Sequence, residues 1–128
     1  ALIVDLVVLN MGAGQILEKH TMHLHGHRFW VIGHGALPFD EPAAYAKVNL
    51  VDPPLKDTLP LRTGTYAILR FEATSPGIWH FHCHLLVHMM MGLQMAFNIG
   101  EDQQPKPPLE WYDAQNFDGH MCPGADDS

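Results

Sequence analysis

IWHFHCHLLVHMMMGL, from Ile78 to Leu93, carries two signals at once. Its first half, Ile78 to His84, alternates aromatic or apolar residues with histidines, the period-2 pattern of a β-strand. On such a strand His82 and His84 share one face and Cys83 projects from the other. From Leu85 to Met91 the alternation stops, which predicts a short helical turn ending at Gly92, before a last strand from Leu93 to Ile99. His88 follows Cys83 by five residues, past the strand end, where it can return to the cysteine side.

Outward from this stretch the chain keeps the same character. A Ser75-Pro76-Gly77 turn precedes it, and before that Tyr66 to Glu72 (YAILRFE) reads as a strand. Ile3 to Asn10 (IVDLVVLN) is another, rich in β-branched residues and closed by Gly12 and Gly14. Met22 to Gly33 (MHLHGHRFWVIG) is expected to form one further strand. Ala36 to Asp57 holds Pro38, Pro42, Pro53 and Pro54, so it is expected to be mostly loop, with a short strand or helical turn around Tyr45 to Leu50. From Glu101 onward Pro, Asp, Gln and Gly take over, predicting an irregular tail with a short helix at Leu109 to Gln115. These elements describe an all-β protein, a β-sandwich domain over residues 1–100 followed by a tail over 101–128.

Composition narrows the function. The chain has 128 residues, 47% hydrophobic and only 16% charged, the balance of one packed domain. A formal charge of −7 with seven scattered Lys and Arg argues against a nucleic-acid partner. No run is long and apolar enough to span a membrane, and the apolar opening from Leu2 to Leu9 lacks the basic leader of a signal peptide. The first residue is Ala1 rather than Met and opens directly on strand-like sequence, so the chain is expected to be part of a longer polypeptide.

Ten histidines are the outlier, and most fall in two clusters. The first is His20-Thr21-Met22-His23-Leu24-His25, where strand alternation puts His23 and His25 on one face and lets His20 aim elsewhere. The second is His80 to His88, with Cys83 at its centre. A thiolate and two imidazoles in a trigonal set, with a weak or missing axial ligand, make a blue-copper electron-transfer site, and Cys83, His88 and His20 fit that set. His23, His25, His82 and His84 would then line the opposite side of the Cys83 strand as one wall of a second metal centre. The isolated histidines His27, His34, His80 and His120 are read as structural or surface residues. Met89, Met90 and Met91 are read as filling irregular gaps around the turn.

The runs HxxHxHG and HCHxxxHxxxxL resemble the third and fourth copper-binding signatures of the multicopper oxidases. HGHRFWVIGHG, NLVDPPLKDT and PGIWHFHCH are most similar to plant-type ascorbate oxidases and laccases, and the resemblance runs from about Ile3 to Gly100. It implies a cupredoxin-like Greek-key domain, the last of three, secreted from the cell. It also implies a complete type 1 copper site formed by His20, Cys83 and His88, with Leu93 at the axial position. The type 2 ligand would be His23. The type 3 pair would take His25 and His82 on one copper and His84 on the other, and the remaining four histidines would come from two HxH motifs of an N-terminal cupredoxin domain. Met91 or Met95 is the alternative axial ligand. Two departures stand out: Leu86 occupies a position commonly acidic in these relatives, and Thr21 one commonly Pro. Cys122 resembles the cysteine that ties this domain to the first by a disulfide in some relatives; a free thiol is the alternative.

The implied reaction is one-electron oxidation of a small reducing substrate at the type 1 copper, coupled to four-electron reduction of O2 to water. Phenols are the expected substrates, with ascorbate or metal ions as alternatives. Cys83, His82, His84 and His88 would carry the electrons. Two rivals remain: a stand-alone cupredoxin electron carrier, which has no use for His23, His25, His82 and His84, and a closed zinc site, which strand alternation opposes because it sends Cys83 and its neighbours to opposite faces.

Overall fold

The computed structural model describes residues 2–12 and 18–106. Among them are eight strands: β1 (Leu2–Asn10), β2 (His20–Leu24), β3 (Phe29–Ala36), β4 (Leu55–Lys56), β5 (Thr58–Leu61), β6 (Thr65–Ala73), β7 (Gly77–Cys83) and β8 (Gln94–Ile99). Two short helices interrupt them, α1 (Glu41–Tyr45) and α2 (Leu86–Met90). The strands form two four-stranded sheets, ordered β1-β6-β3-β4 and β5-β2-β7-β8, and every pairing is antiparallel. The chain passes from one sheet to the other five times, between β1 and β2, β2 and β3, β4 and β5, β5 and β6, and β6 and β7, as in a cupredoxin-like sandwich.

Gly26 lies in the crossing from β2 to β3, which corrects the expectation of one strand from Met22 to Gly33. Its φ of +70° lies in the left-handed region, and a β-carbon there would overlap the indole of Trp79. The chain therefore turns after Leu24 and re-enters the other sheet at Phe29. The proline-rich segment holds more structure than its composition predicts. Asp40 caps α1 by accepting from Ala43 N at 3.0 Å, and a proline stands in the first turn, where its missing N–H costs nothing. β5 was not foreseen either, because it contains Pro60. It lies at a sheet edge, where proline is tolerated.

Side chains from both sheets meet in a core of Met22, Leu24, Phe29, Leu61, Ala67, Leu69, Phe71, Phe81 and Cys83. Burying a large apolar side chain such as Phe29 or Phe71 contributes roughly 1.5–3 kcal/mol. A cross-strand ion pair ties β1 to β6: Asp5 and Arg70 are register partners, and the guanidinium donates to both carboxylate oxygens at 2.7 and 2.8 Å. Arg70 holds the Asp5 carboxyl below its ordinary value, and the Tyr45 hydroxyl, donating at 3.2 Å, fastens α1 to the same carboxylate.

Past β8, Glu101–Gln103 form a 3-10 turn. The expected helix at Leu109 to Gln115, His120 and Cys122 lie outside the described residues. No helix among the described residues is long and apolar enough to cross a membrane.

Candidate metal centres

The two histidine clusters meet because β2 and β7 are neighbours at the centre of one sheet. Their register pairs Met22 with Cys83, His23 with His82 and Leu24 with Phe81. Met22, Leu24, Phe81 and Cys83 turn inward to the core, so His23 and His82 turn outward together.

On the inward side Cys83 is fully buried, and two imidazoles converge on it. Its Sγ lies 3.8 Å from His20 Nδ1 and 3.7 Å from His88 Nδ1, and those two nitrogens are 3.1 Å apart. Donors so spaced fit around one ion at the bond lengths of about 2.0–2.3 Å that imidazole and thiolate ligands take. With both rings protonated at Nε2, the two Nδ1 atoms 3.1 Å apart would face each other with lone pairs, a natural seat for a cation. The group holds one sulfur and two nitrogens and no fourth His, Cys or carboxylate donor among the described residues. That chemistry fits a trigonal copper site better than a closed four-ligand zinc site.

α2 brings His88 back to the cysteine. His88 N and Met89 N both donate to Leu85 O at 3.0 Å, a single turn that reverses the chain after β7. Leu93 then closes the loop with its backbone, since its N donates to His88 O and its O accepts from Cys83 N, each at 3.0 Å. Its side chain lines a groove with Leu9, Met11, His20, His88 and Met91. Leucine offers no donor atom, so an axial site there lacks a ligand. Leu93→Met is expected to lower the reduction potential of the centre and slow oxidation of weakly reducing substrates, because a thioether stabilises the oxidised ion. A redox titration comparing the two proteins checks this; an unchanged or raised potential would mean that position 93 does not face the ion or that a neighbouring methionine already occupies the axial site.

On the outward side the imidazoles are pre-oriented. His23 Nδ1 donates to Asp57 O at 2.8 Å and lies 2.9 Å from Thr58 Oγ1, which leaves Nε2 as its free acceptor. His82 Nδ1 donates to Cys83 O at 3.0 Å, and its Nε2 sits 3.0 Å from His25 Nε2. The ring of His84 is 5.7 Å from that of His23 and 5.5 Å from that of His82. Desolvation lowers the His25 pKa, and the neighbouring His23, His82, His80 and His84 lower it further, favouring the neutral form that binds metal.

His80, set aside from the sequence, belongs to this face as well. It stacks on His82 with centroids 4.3 Å apart, and it groups with His25 and His82 as a cluster able to hold a metal. The signal was present in the alternation, which places His80, His82 and His84 on one face. Its Nε2 lies 2.9 Å from Gln94 Oε1. His27 packs against Phe71 and Trp79, in keeping with a structural role. Leu86 and Met90 stand exposed on α2.

The family model for multicopper oxidases matches residues 2–103, and the chain belongs to that family. Among named relatives it is similar to Laccase-11 of Arabidopsis thaliana, 48% identical over 100 residues that cover 75% of this chain and 18% of that protein. Laccase-2 of Oryza sativa subsp. japonica is 45% identical over 96 residues, covering 72% of this chain and 17% of the relative. The crystal structure of the laccase from Botrytis aclada superposes with a TM-score of 0.78 at 28% identity, over 93% of this chain and 22% of the other. The chain thus spans less than a fifth of the length of these plant relatives.

Proposed function

We propose that the complete protein is a secreted, laccase-like oxidase that removes single electrons from phenols and reduces O2 to water. In this reading residues 1–100 form its copper domain and 101–128 a tail. Ascorbate and metal ions are the alternative reductants. The observation that carries the reading is the back-to-back arrangement of Cys83, His20 and His88 on one side of β7 with His23, His25, His82 and His84 on the other. Copper bound at these groups supplies the one-electron redox capacity that the reaction requires.

The chain's residues have distinct parts in that scheme. Cys83, His20 and His88 would hold the type 1 ion, and His88 borders the groove where a substrate could approach. Cys83 is bonded in sequence to His82 and His84, so two peptide units link the buried thiolate to the outward imidazoles. The hydrogen bond from His82 Nδ1 to Cys83 O adds a second link. His23 would hold the type 2 ion, His25 and His82 one type 3 ion, and His84 the other. These groups face outward, which is what a centre completed by an N-terminal cupredoxin domain requires.

A stand-alone electron carrier would need only the buried set. The grouped outward imidazoles favour the oxidase. The reaction balances when four substrate molecules each lose one electron and one proton, and one O2 takes up four of each to give two waters. The complete polypeptide is therefore expected to consume one O2 for every four one-electron oxidations of a phenol, without releasing hydrogen peroxide. An oxygen electrode with a peroxide assay measures this, and stoichiometric peroxide would contradict the reading.

A further inference from the structure

Glu18 is absent from both histidine motifs, yet its carboxylate Oε2 lies 3.0 Å from His88 Nε2. His88 uses its other nitrogen toward the buried set, with Nδ1 3.7 Å from Cys83 Sγ and 3.1 Å from His20 Nδ1. A neutral imidazole has one donor and one acceptor nitrogen. If Nδ1 offers its lone pair to an ion, Nε2 carries the proton, and the carboxylate is placed to accept it.

The placement is held from beneath. The backbone carbonyl of Glu18 accepts from Thr63 Oγ1 at 2.6 Å and from Asn10 Nδ2 at 2.9 Å. Asn10 is only 4% exposed, and its amide also donates to Leu61 O at 3.0 Å while its Oδ1 accepts from Gly12 N at 3.1 Å. A buried polar side chain with all these bonds is a fixed anchor. Strands β1 and β5 and the turn between β5 and β6 therefore set where the Glu18 backbone lies, and through it where the carboxylate meets His88. The His88 side chain is 13% exposed, which shields the contact on its imidazole side more than an ordinary surface pair.

We propose that Glu18 is a positioning residue for His88: it fixes the ring with Nδ1 toward Cys83 and His20, and its charge stabilises the oxidised form of a type 1 copper held there. This rests on the type 1 reading given above. A carboxylate behind a metal-bound imidazole raises the basicity of that ligand and commonly affects metal affinity by roughly 10- to 100-fold. Its effect on the reduction potential opposes that of Leu93, since a leucine at the axial position favours the reduced ion and Glu18 the oxidised one.

The test uses the complete copper-loaded enzyme and two readouts other than activity: the reduction potential, followed by the blue absorption, and copper retention against a chelator. Glu18→Ala is expected to raise the potential and weaken copper retention roughly 10- to 100-fold. Glu18→Gln, which keeps an acceptor but loses the charge, is expected to fall between Glu18→Ala and the wild type. Thr63→Val should shift the potential in the same direction, and combining it with Glu18→Ala should add nothing further, because the clamp acts through Glu18. Wild-type values in both Glu18 variants would overturn the proposal and leave the type 1 reading standing. A Thr63→Val shift that persists in full in the Glu18→Ala background would overturn the clamp. A wild-type enzyme with no blue band would overturn the type 1 reading and this proposal together.

Discussion

Replacing Cys83 with serine in the complete enzyme is expected to remove the blue absorption and bring substrate oxidation to background. In the proposed site the thiolate would supply the charge-transfer band, and Cys83 is the one cysteine grouped with His20 and His88 among the described residues. It is also the residue through which the buried set connects to His82 and His84. Serine is nearly isosteric with cysteine, and its hydroxyl would face the two Nδ1 atoms that now lie 3.7 and 3.8 Å from the sulfur. Burying that hydroxyl costs about 1–3 kcal/mol if it stays unpaired and less if an imidazole accepts from it, against a typical domain stability of about 5–15 kcal/mol. The variant should therefore fold, with an unchanged far-ultraviolet circular dichroism spectrum and no colour. A blue band that survives in Cys83→Ser would remove Cys83 from the site.

His84→Ala is expected to do the opposite: keep the colour and abolish turnover with oxygen. Its side chain faces outward, away from the core that holds Cys83, so its removal leaves that core intact. Cys83 projects to the other side of the strand and keeps both of its imidazoles. The variant should bleach when a phenol is added without air and stay bleached when air is readmitted, because electrons can enter but cannot leave. Recovery of the blue colour at the wild-type rate would mean that His84 has no part in oxygen reduction.

How much of this was legible in the sequence differs between the two sides of β7. Alternation alone separated Cys83 from His82 and His84, and the register of β2 against β7 bears this out. The return of His88 to the cysteine followed from the loss of alternation after Leu85, and α2 makes that return. The long histidine-bearing strand was misjudged because Gly26 sits inside an otherwise continuous strand pattern. Its φ of +70° and the close approach of Trp79, remote in sequence, give the reason for glycine at that turn. α1 had its signature in Asp40-Glu41-Pro42, but the surrounding prolines outweighed it. Glu18 had no signature at all, since its position over His88 depends on Asn10 in β1 and on Thr63 in the turn between β5 and β6.

The central claim is that one strand separates a complete copper site from part of a second one. Diffraction from crystals of the complete enzyme on both sides of the copper absorption edge tests it most directly. One copper peak is expected within bonding distance of His20 Nδ1, His88 Nδ1 and Cys83 Sγ, with no fourth protein donor. Further copper peaks are expected on the other side of β7, against His23, His25, His82 and His84, completed by imidazoles from another domain. A single ion binding Cys83 together with His82 or His84, or no copper at Cys83, would contradict the account.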